Sequence, residues 1–165
     1  MDMSRTFLAK DIPIQEGMFL DEKRWDDWLA LYTSDCEYWV PTWLNQDTLS
    51  TDPQRELAHI YYASRSGLED RVLRIRSGRS PASLTTRRTT HIVGSVLVDS
   101  IDDAFAEVRA SWACYVFLPQ YKKTELLFGR AEYALRWQED VWKIARKKTV
   151  VQNDYMPSVV DVYCL

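Results

Sequence analysis

The sequence predicts an α+β fold in which helices pack on one face of a curved, mainly antiparallel sheet, and three observations predict it. In the first half, apolar residues recur at helical spacing: Trp25, Trp28, Leu29 and Tyr32 at i, i+3, i+4 and i+7, then Leu68, Val72 and Ile75. In the second half the spacing changes to alternation, as in Val108, Ala110, Trp112, Cys114 and Val116. Two alternating stretches meet at Gln138, Glu139 and Asp140, a short polar turn suited to a hairpin, so neighbouring strands run antiparallel.

Taken in order, DEKRWDDWLALYT reads as a helix with Asp21 as its N-cap. CEYWVP is a short strand that Pro41 stops or pushes to a sheet edge. TWLNQDTLSTDPQ, with scattered apolar residues among Thr, Asn, Asp and Pro, is a long loop of the kind that carries contacts. RELAHIYYAS fits a strand or a short helix equally. Residues 67–77 form an amphipathic helix, with Asp70 and Arg74 at i, i+4, which Gly78 ends; SPASLTTRR is then a polar loop. RTTHIVGSVLV is a strand with Ile92, Gly94, Val96 and Val98 on one face and His91, Val93, Ser95 and Leu97 on the other, both faces covered. FAEVRASWACYVFL, TELLFGRAEYALRWQ and VWKIARKKTVV complete the meander.

A chain of 165 residues buries one substantial core and is short for two, so residues 1–165 are read as a single domain. The apolar share of 46%, with seven Trp, describes a packed globule with surface left for partners. A net charge of -3, with both signs intermixed, gives no field to attract nucleic acid or anionic lipid. The first twenty residues hold no signal-peptide core and no window approaches a membrane span, so a soluble, cytoplasmic protein is expected. Cys36, Cys114 and Cys164 are odd in number and without CxxC spacing, which fits a reducing compartment and a packing role.

The histidine count bounds metal chemistry. Only His59 and His91 occur, outside any HxxxH, HExxH or Cys/His cluster. A Rieske centre takes two Cys and two His, and a mononuclear iron triad two further His and a carboxylate, which this chain does not contain. GxSxG, GxGxxG and GxxxxGK[ST] are all absent. Acid–base work by a pocket carboxylate beside His59 or His91 stays open, with Asp35, Glu37, Asp99, Asp102 and Asp103 as the available acids. No spacing singles one out, and caps or solvated charges are the plainer alternative. RRTTH and ARKK are read as basic guards at strand edges. What remains is an abundance of Trp, Tyr and Arg, the residues that dominate buried interface centres, and this favours a subunit over a free enzyme.

Four stretches, LDEKRWDDWLALYTSDCEYWVP, SRSGLEDRVLRIRSG, RRTTHIVGSVLV and LFGRAEYALRWQEDVWKIARKKTVVQND, together resemble the small, or beta, subunit of bacterial aromatic-ring-hydroxylating dioxygenases. They span nearly the whole chain in the expected order. PQRELAHIYYASRSGLEDRV is most similar to the branch acting on benzoate, anthranilate and halobenzoates. Ser95 stands where the family pattern has Asn, and Gly17 where it has Ala.

The resemblance implies a cystatin-like, or nuclear-transport-factor-like, cone. It implies a partner large (alpha) subunit that carries the Rieske [2Fe-2S] cluster and the mononuclear Fe(II), in an assembly of three large and three small subunits, with the small subunits self-associating as a trimer. A reductase would pass electrons from NADH to the large subunit, and this chain would itself hold no cofactor, no metal and no catalytic residue. On that reading Tyr38, Trp39 and Trp43 contribute to intersubunit packing, and Arg71, Arg74 and Arg76 to intersubunit ion pairs. The plainer alternatives are the domain's own core for the aromatics and a solvated helix face for the arginines. A stand-alone isomerase or dehydratase on the same fold, or a small-ligand binding module, is the competing expectation.

Overall fold

The computed structural model describes residues 3–78, 87–153 and 161–165. Its elements are α1 (Met3–Asp21), α2 (Trp25–Ala30), β1 (Tyr32–Pro41), β2 (Ala58–Tyr62), α3 (Arg65–Arg76), β3 (Arg88–Ile101), β4 (Phe105–Leu118), β5 (Lys123–Gln138) and β6 (Val141–Val151). A 3-10 turn, Val162–Cys164, closes the chain. The strands form one six-stranded sheet in the order β2-β1-β6-β5-β4-β3, antiparallel except where β1 runs parallel to β6. The helices lie on its inner face, as an α+β pattern demands, and no described helix is long and apolar enough to cross a membrane. The expected polar loop at SPASLTTRR falls largely outside the described residues.

Helix α1 is the main element that the spacing of apolar residues leaves out. Ala9, Ile12, Pro13, Glu16, Gly17 and Leu20 face the sheet at helical intervals, but Met3, Phe7, Ile14 and Met18 are exposed on the opposite side. With apolar residues on both faces the 3.6-residue period cancels. Gly17 lets the helix approach β3: a Cβ there would lie 3.0 Å from the Cβ of His91.

Asp21 is not the N-cap of the next helix. It is the last residue of α1, and Arg24 precedes α2 without a side-chain cap. Helix α2 keeps the expected Trp25–Trp28–Leu29 face for six residues only, and Tyr32 already begins β1. The apolar stripe continues because Tyr32 packs edge-on against Trp28, with ring centroids 5.4 Å apart. Lys143 donates to the Ala30 carbonyl at 2.6 Å and so closes the end of α2.

The ambiguous RELAHIYYAS segment contains β2, paired antiparallel with β1 through Tyr38, Trp39 and Val40. Pro41 ends β1 at a bulge, yet β1 lies inside the sheet between β2 and β6. Helix α3 starts two residues earlier than the spacing gives, buries Leu68 and Val72, and stops at Gly78, whose φ of +66° suits a residue without Cβ.

In β3 the simple alternation fails twice, at Ser95 and again between Val98 and Ser100. Ser95 takes φ +50°, and the pairing with β4 slips between Gly94 and Leu97. A bulge inserts one residue and reverses the faces beyond it. His91 and Val93 therefore turn inward together with Val96 and Val98, while Ile92 and Leu97 are exposed. β4 obeys its alternation throughout, burying alternate residues from Ala106 to Leu118, and pairs with β5 in unbroken register from Phe105↔Arg136 to Leu118↔Lys123. The β5–β6 turn forms at Glu139 (φ 52°) and Asp140 (φ 61°), the left-handed pair that matches strand twist. The ARKK stretch corrects another expectation: it lies in β6, an interior strand, and Lys147 is buried rather than guarding an edge.

Candidate functional site

The interior of the cone brings together charged side chains from α1 and β6. Glu16 of α1 is buried, and its Oε1 accepts from Trp28 Nε1 at 3.3 Å, from the Tyr32 hydroxyl, and from Lys147 Nζ at 3.0 Å. Its Oε2 accepts from the Tyr133 hydroxyl at 2.8 Å and lies 2.9 Å from Lys147 Nζ. Lys147 also donates to the Leu165 carbonyl at 3.0 Å and sits over the rings of Tyr38 and Tyr133. Burial, and then the Glu16 charge, push the Tyr32 and Tyr133 hydroxyls well above the ordinary phenol range, so they remain neutral donors. A buried ion pair stands only when its remaining hydrogen-bonding capacity is met, and here both carboxylate oxygens are met by several donors.

Beside this network lies the pair Asp21–His91. Asp21 Oδ1 and His91 Nδ1 are 2.7 Å apart, the His91 backbone N–H donates to Oδ2 at 2.7 Å, and the Thr89 hydroxyl donates to Oδ1 at 2.8 Å. Burial raises the Asp21 carboxyl, but the hydrogen bonds from the His91 side chain and backbone and from Thr89 outweigh it and leave the group below its ordinary 3.8. These bonds fasten the last residue of α1 to β3. The cavity between the two groups, lined by Pro13, Gly17, Val93, Trp112 and Ala131 among others, has a volume of about 10 Å³. It admits a water-sized molecule and no aromatic ring.

The other acids have partners of their own. Asp35 is exposed and 3.1 Å from Arg136; Glu37 accepts from the Tyr61 hydroxyl at 3.3 Å. Asp99 pairs with Arg109, whose hydrogen bond lowers its carboxyl. Asp102 accepts the backbone N–H groups of Ala104 and Phe105 in the β3–β4 turn, and Asp103 lies 3.7 Å from Arg5. His59 is exposed on β2. The three cysteines are buried, and burial raises the thiols of Cys36 to about 11 and Cys164 to about 12, far from a nucleophile's range. Among the described residues, no three His, Cys, Asp or Glu side chains group as a metal site.

The candidate interface residues divide by exposure. Tyr38 and Trp39 are buried within this chain, Trp39 beneath Lys148 at 5.2 Å. Trp43 is half-buried and donates its Nε1 proton to the Val151 carbonyl at 2.8 Å, which ties the long loop to β6. Arg71 reaches Asp161 at 2.7 Å and Arg76 reaches Asp26 at 2.8 Å, so both tie α3 to the rest of the chain. Arg74 is exposed, with no ion pair to another described residue. The outer face of the sheet presents Ile92, Tyr115, Leu126 and Phe128 to solvent on three adjacent strands. Sequence reasoning passed over Glu16, Lys147, Asp161 and this outer face. Counting back from Val151 through Thr149 places Lys147 on the inner face, which is the signal that could have found it.

Comparison with known proteins agrees with the four-stretch resemblance. The description of the ring hydroxylating beta subunit family matches residues 15–158. The chain is 38% identical to the benzoate 1,2-dioxygenase subunit beta of Acinetobacter baylyi over 90% of its own length and 86% of the relative's. It is 35% identical to the anthranilate 1,2-dioxygenase small subunit of the same species over 99% of both. The crystal structure of the beta subunit of the benzoate 1,2-dioxygenase from Burkholderia mallei superposes with a TM-score of 0.77 at 34% identity, covering 95% of each chain. The cone is nuclear-transport-factor-like, as the resemblance implied. With the matched family spanning most of the chain, the protein belongs to the ring hydroxylating beta subunits and is a component of an enzyme rather than the whole of one.

Proposed function

We propose that this chain is the noncatalytic small subunit of a Rieske non-heme iron oxygenase that cis-dihydroxylates an aromatic carboxylate of the benzoate, 2-halobenzoate or anthranilate type. The overall step combines the ring, both atoms of O2, two electrons and two protons into a cis-diol. NADH supplies the electrons through a reductase and becomes NAD+. With anthranilate the diol collapses to catechol, releasing the carboxyl group as CO2 and the amino group as ammonia. The [2Fe-2S] cluster and the mononuclear Fe(II) belong to the large subunit, and three large and three small subunits assemble in the cytoplasm around a trimer of this chain.

The observation that carries the reading is the closed network in the cone: Glu16 and Lys147 are consumed by each other and by Tyr32, Tyr133 and Leu165, and the cavity beside them is no larger than a water, so what the protein does is done at its surface. Similarity to benzoate and anthranilate dioxygenase small subunits supports the choice of aromatic carboxylate. Residues 1–165 act as one domain on this reading. Trp43 and Arg74 meet neighbouring subunits, while Tyr38, Trp39, Arg71 and Arg76 hold in shape the strand and helix that present them.

The test is to purify the chain alone and with its large subunit. Alone it should be colourless, iron-free and without turnover of benzoate or anthranilate. Mixed with the red-brown large subunit and the reductase, it should enter a larger particle that consumes O2. Turnover by the isolated chain would overturn the proposal.

A further inference from the structure

Two polar atoms in the wall of the interior cavity are buried without a partner among the described residues: His91 Nε2 and Trp112 Nε1. The His91 side chain is 4% exposed and Trp112 is 7% exposed, and both residues line the same small cavity. Their placement follows from the sheet. His91 pairs with Cys114 across β3 and β4, so Trp112, two residues along, is its diagonal neighbour on the inner face.

The two groups are complementary. Asp21 already accepts from the His91 backbone N–H and the Thr89 hydroxyl, and a carboxylate so placed accepts the Nδ1 proton as well. In the tautomer that carries its proton on Nδ1, the ring presents a lone pair at Nε2. An indole N–H can only donate. A molecule that both accepts and donates satisfies the two together, and a cavity of about 10 Å³ restricts it to the size of water.

We propose that this cavity is a binding site for a single ordered water, which accepts from Trp112 Nε1–H and donates to His91 Nε2. The water joins the Asp21–His91 unit to β4 and so holds the edge strand β3 to its neighbour on the inner face. The site selects for size and for dual hydrogen-bonding character, and it excludes aromatic acids.

High-resolution diffraction from the full chain tests this, together with NMR of a sample labelled with 15N at histidine and tryptophan. The expected result is one density peak within hydrogen-bonding distance of both atoms, a water cross-peak to the Trp112 indole proton, and an Nε2 shift typical of an acceptor. Trp112→Phe should lose the peak and keep the His91–Asp21 hydrogen bond. An empty cavity, a direct His91–Trp112 hydrogen bond, or a proton on Nε2 in the neutral ring would overturn the proposal. If the variant fails to fold, the density and spectra of the unaltered protein decide.

Discussion

The inner and outer faces of the sheet break the usual rule for burial in opposite ways. Inside, Glu16 and Lys147 are charged and buried; outside, Ile92, Tyr115, Leu126 and Phe128 are apolar and exposed. The inner exception is closed by the chain itself, since the carboxylate and ammonium meet each other and several further partners. The outer one has no such closure among the described residues. The contrast teaches that buried charge here belongs to the architecture, and that a functional reading must start from surface, where a subunit has contacts to offer.

Breaking the inner pair gives the largest expected effect. Lys147→Met strands the Glu16 carboxylate in the core, and losing one partner of a buried pair costs about 3–5 kcal/mol. Urea denaturation of this variant should show a much lower midpoint, and the double variant Glu16→Gln/Lys147→Met should recover part of it. A Lys147→Met protein as stable as the parent would show that the pair does not hold the cone.

Gly129→Ala is expected next. A Cβ at this position in β5 would sit 1.8 Å from the Val150 carbonyl oxygen, a backbone atom that cannot step aside without opening the β5–β6 ladder. Overpacking of this kind costs at least about 1–3 kcal/mol. A thermal melt should shift down by several degrees, and an unchanged melt would mean that the two strands are less closely apposed.

Asp21 gives a smaller, pH-dependent effect. Its folded carboxyl lies below the ordinary 3.8, so its contribution is fully present above that pH and is lost as pH falls through the folded value. Asp21→Asn should therefore be less stable near neutrality, and its stability should fall less steeply below pH 3.8 than that of the parent. Parallel stability profiles for the two proteins would deny the His91 contact its role.

How much of this was legible in the sequence depended on whether one periodicity dominated each stretch. β4 could be read residue by residue, because Val108 to Val116 alternate without interruption. α3 could be read from Leu68, Val72 and Ile75, and the hairpin from Glu139 and Asp140. α1 could not, because its exposed Phe7, Ile14 and Met18 balance the buried stripe. A single left-handed residue, Ser95, undid the facing of β3, since a bulge leaves no mark in hydrophobicity. Asp21 looked like a cap because of its place before a helix, whereas its partners come from a strand about seventy residues away. The candidate site was legible in outline: too few histidines pointed away from metal chemistry, while the buried Glu16–Lys147 pair required the fold to be seen.

On the outer surface the effects are small for the chain and larger for its assembly. Arg74→Ala removes an exposed side chain without an ion pair to another described residue, so stability of the isolated chain should change by no more than about 0.5 kcal/mol. Association with the large subunit should weaken several-fold, read by analytical size exclusion of mixtures. Unaltered association would return this arginine to a solvated surface role.

The most direct measurement of the central claim compares O2 consumption with benzoate or anthranilate by three preparations: this chain alone, the large subunit alone, and the two together, each supplied with reductase and NADH. A scaffold with a closed interior predicts no uptake by the isolated chain and full uptake only from the mixture, which should elute as one large particle. Uptake by the isolated chain, or equal uptake by the large subunit without it, would contradict the account.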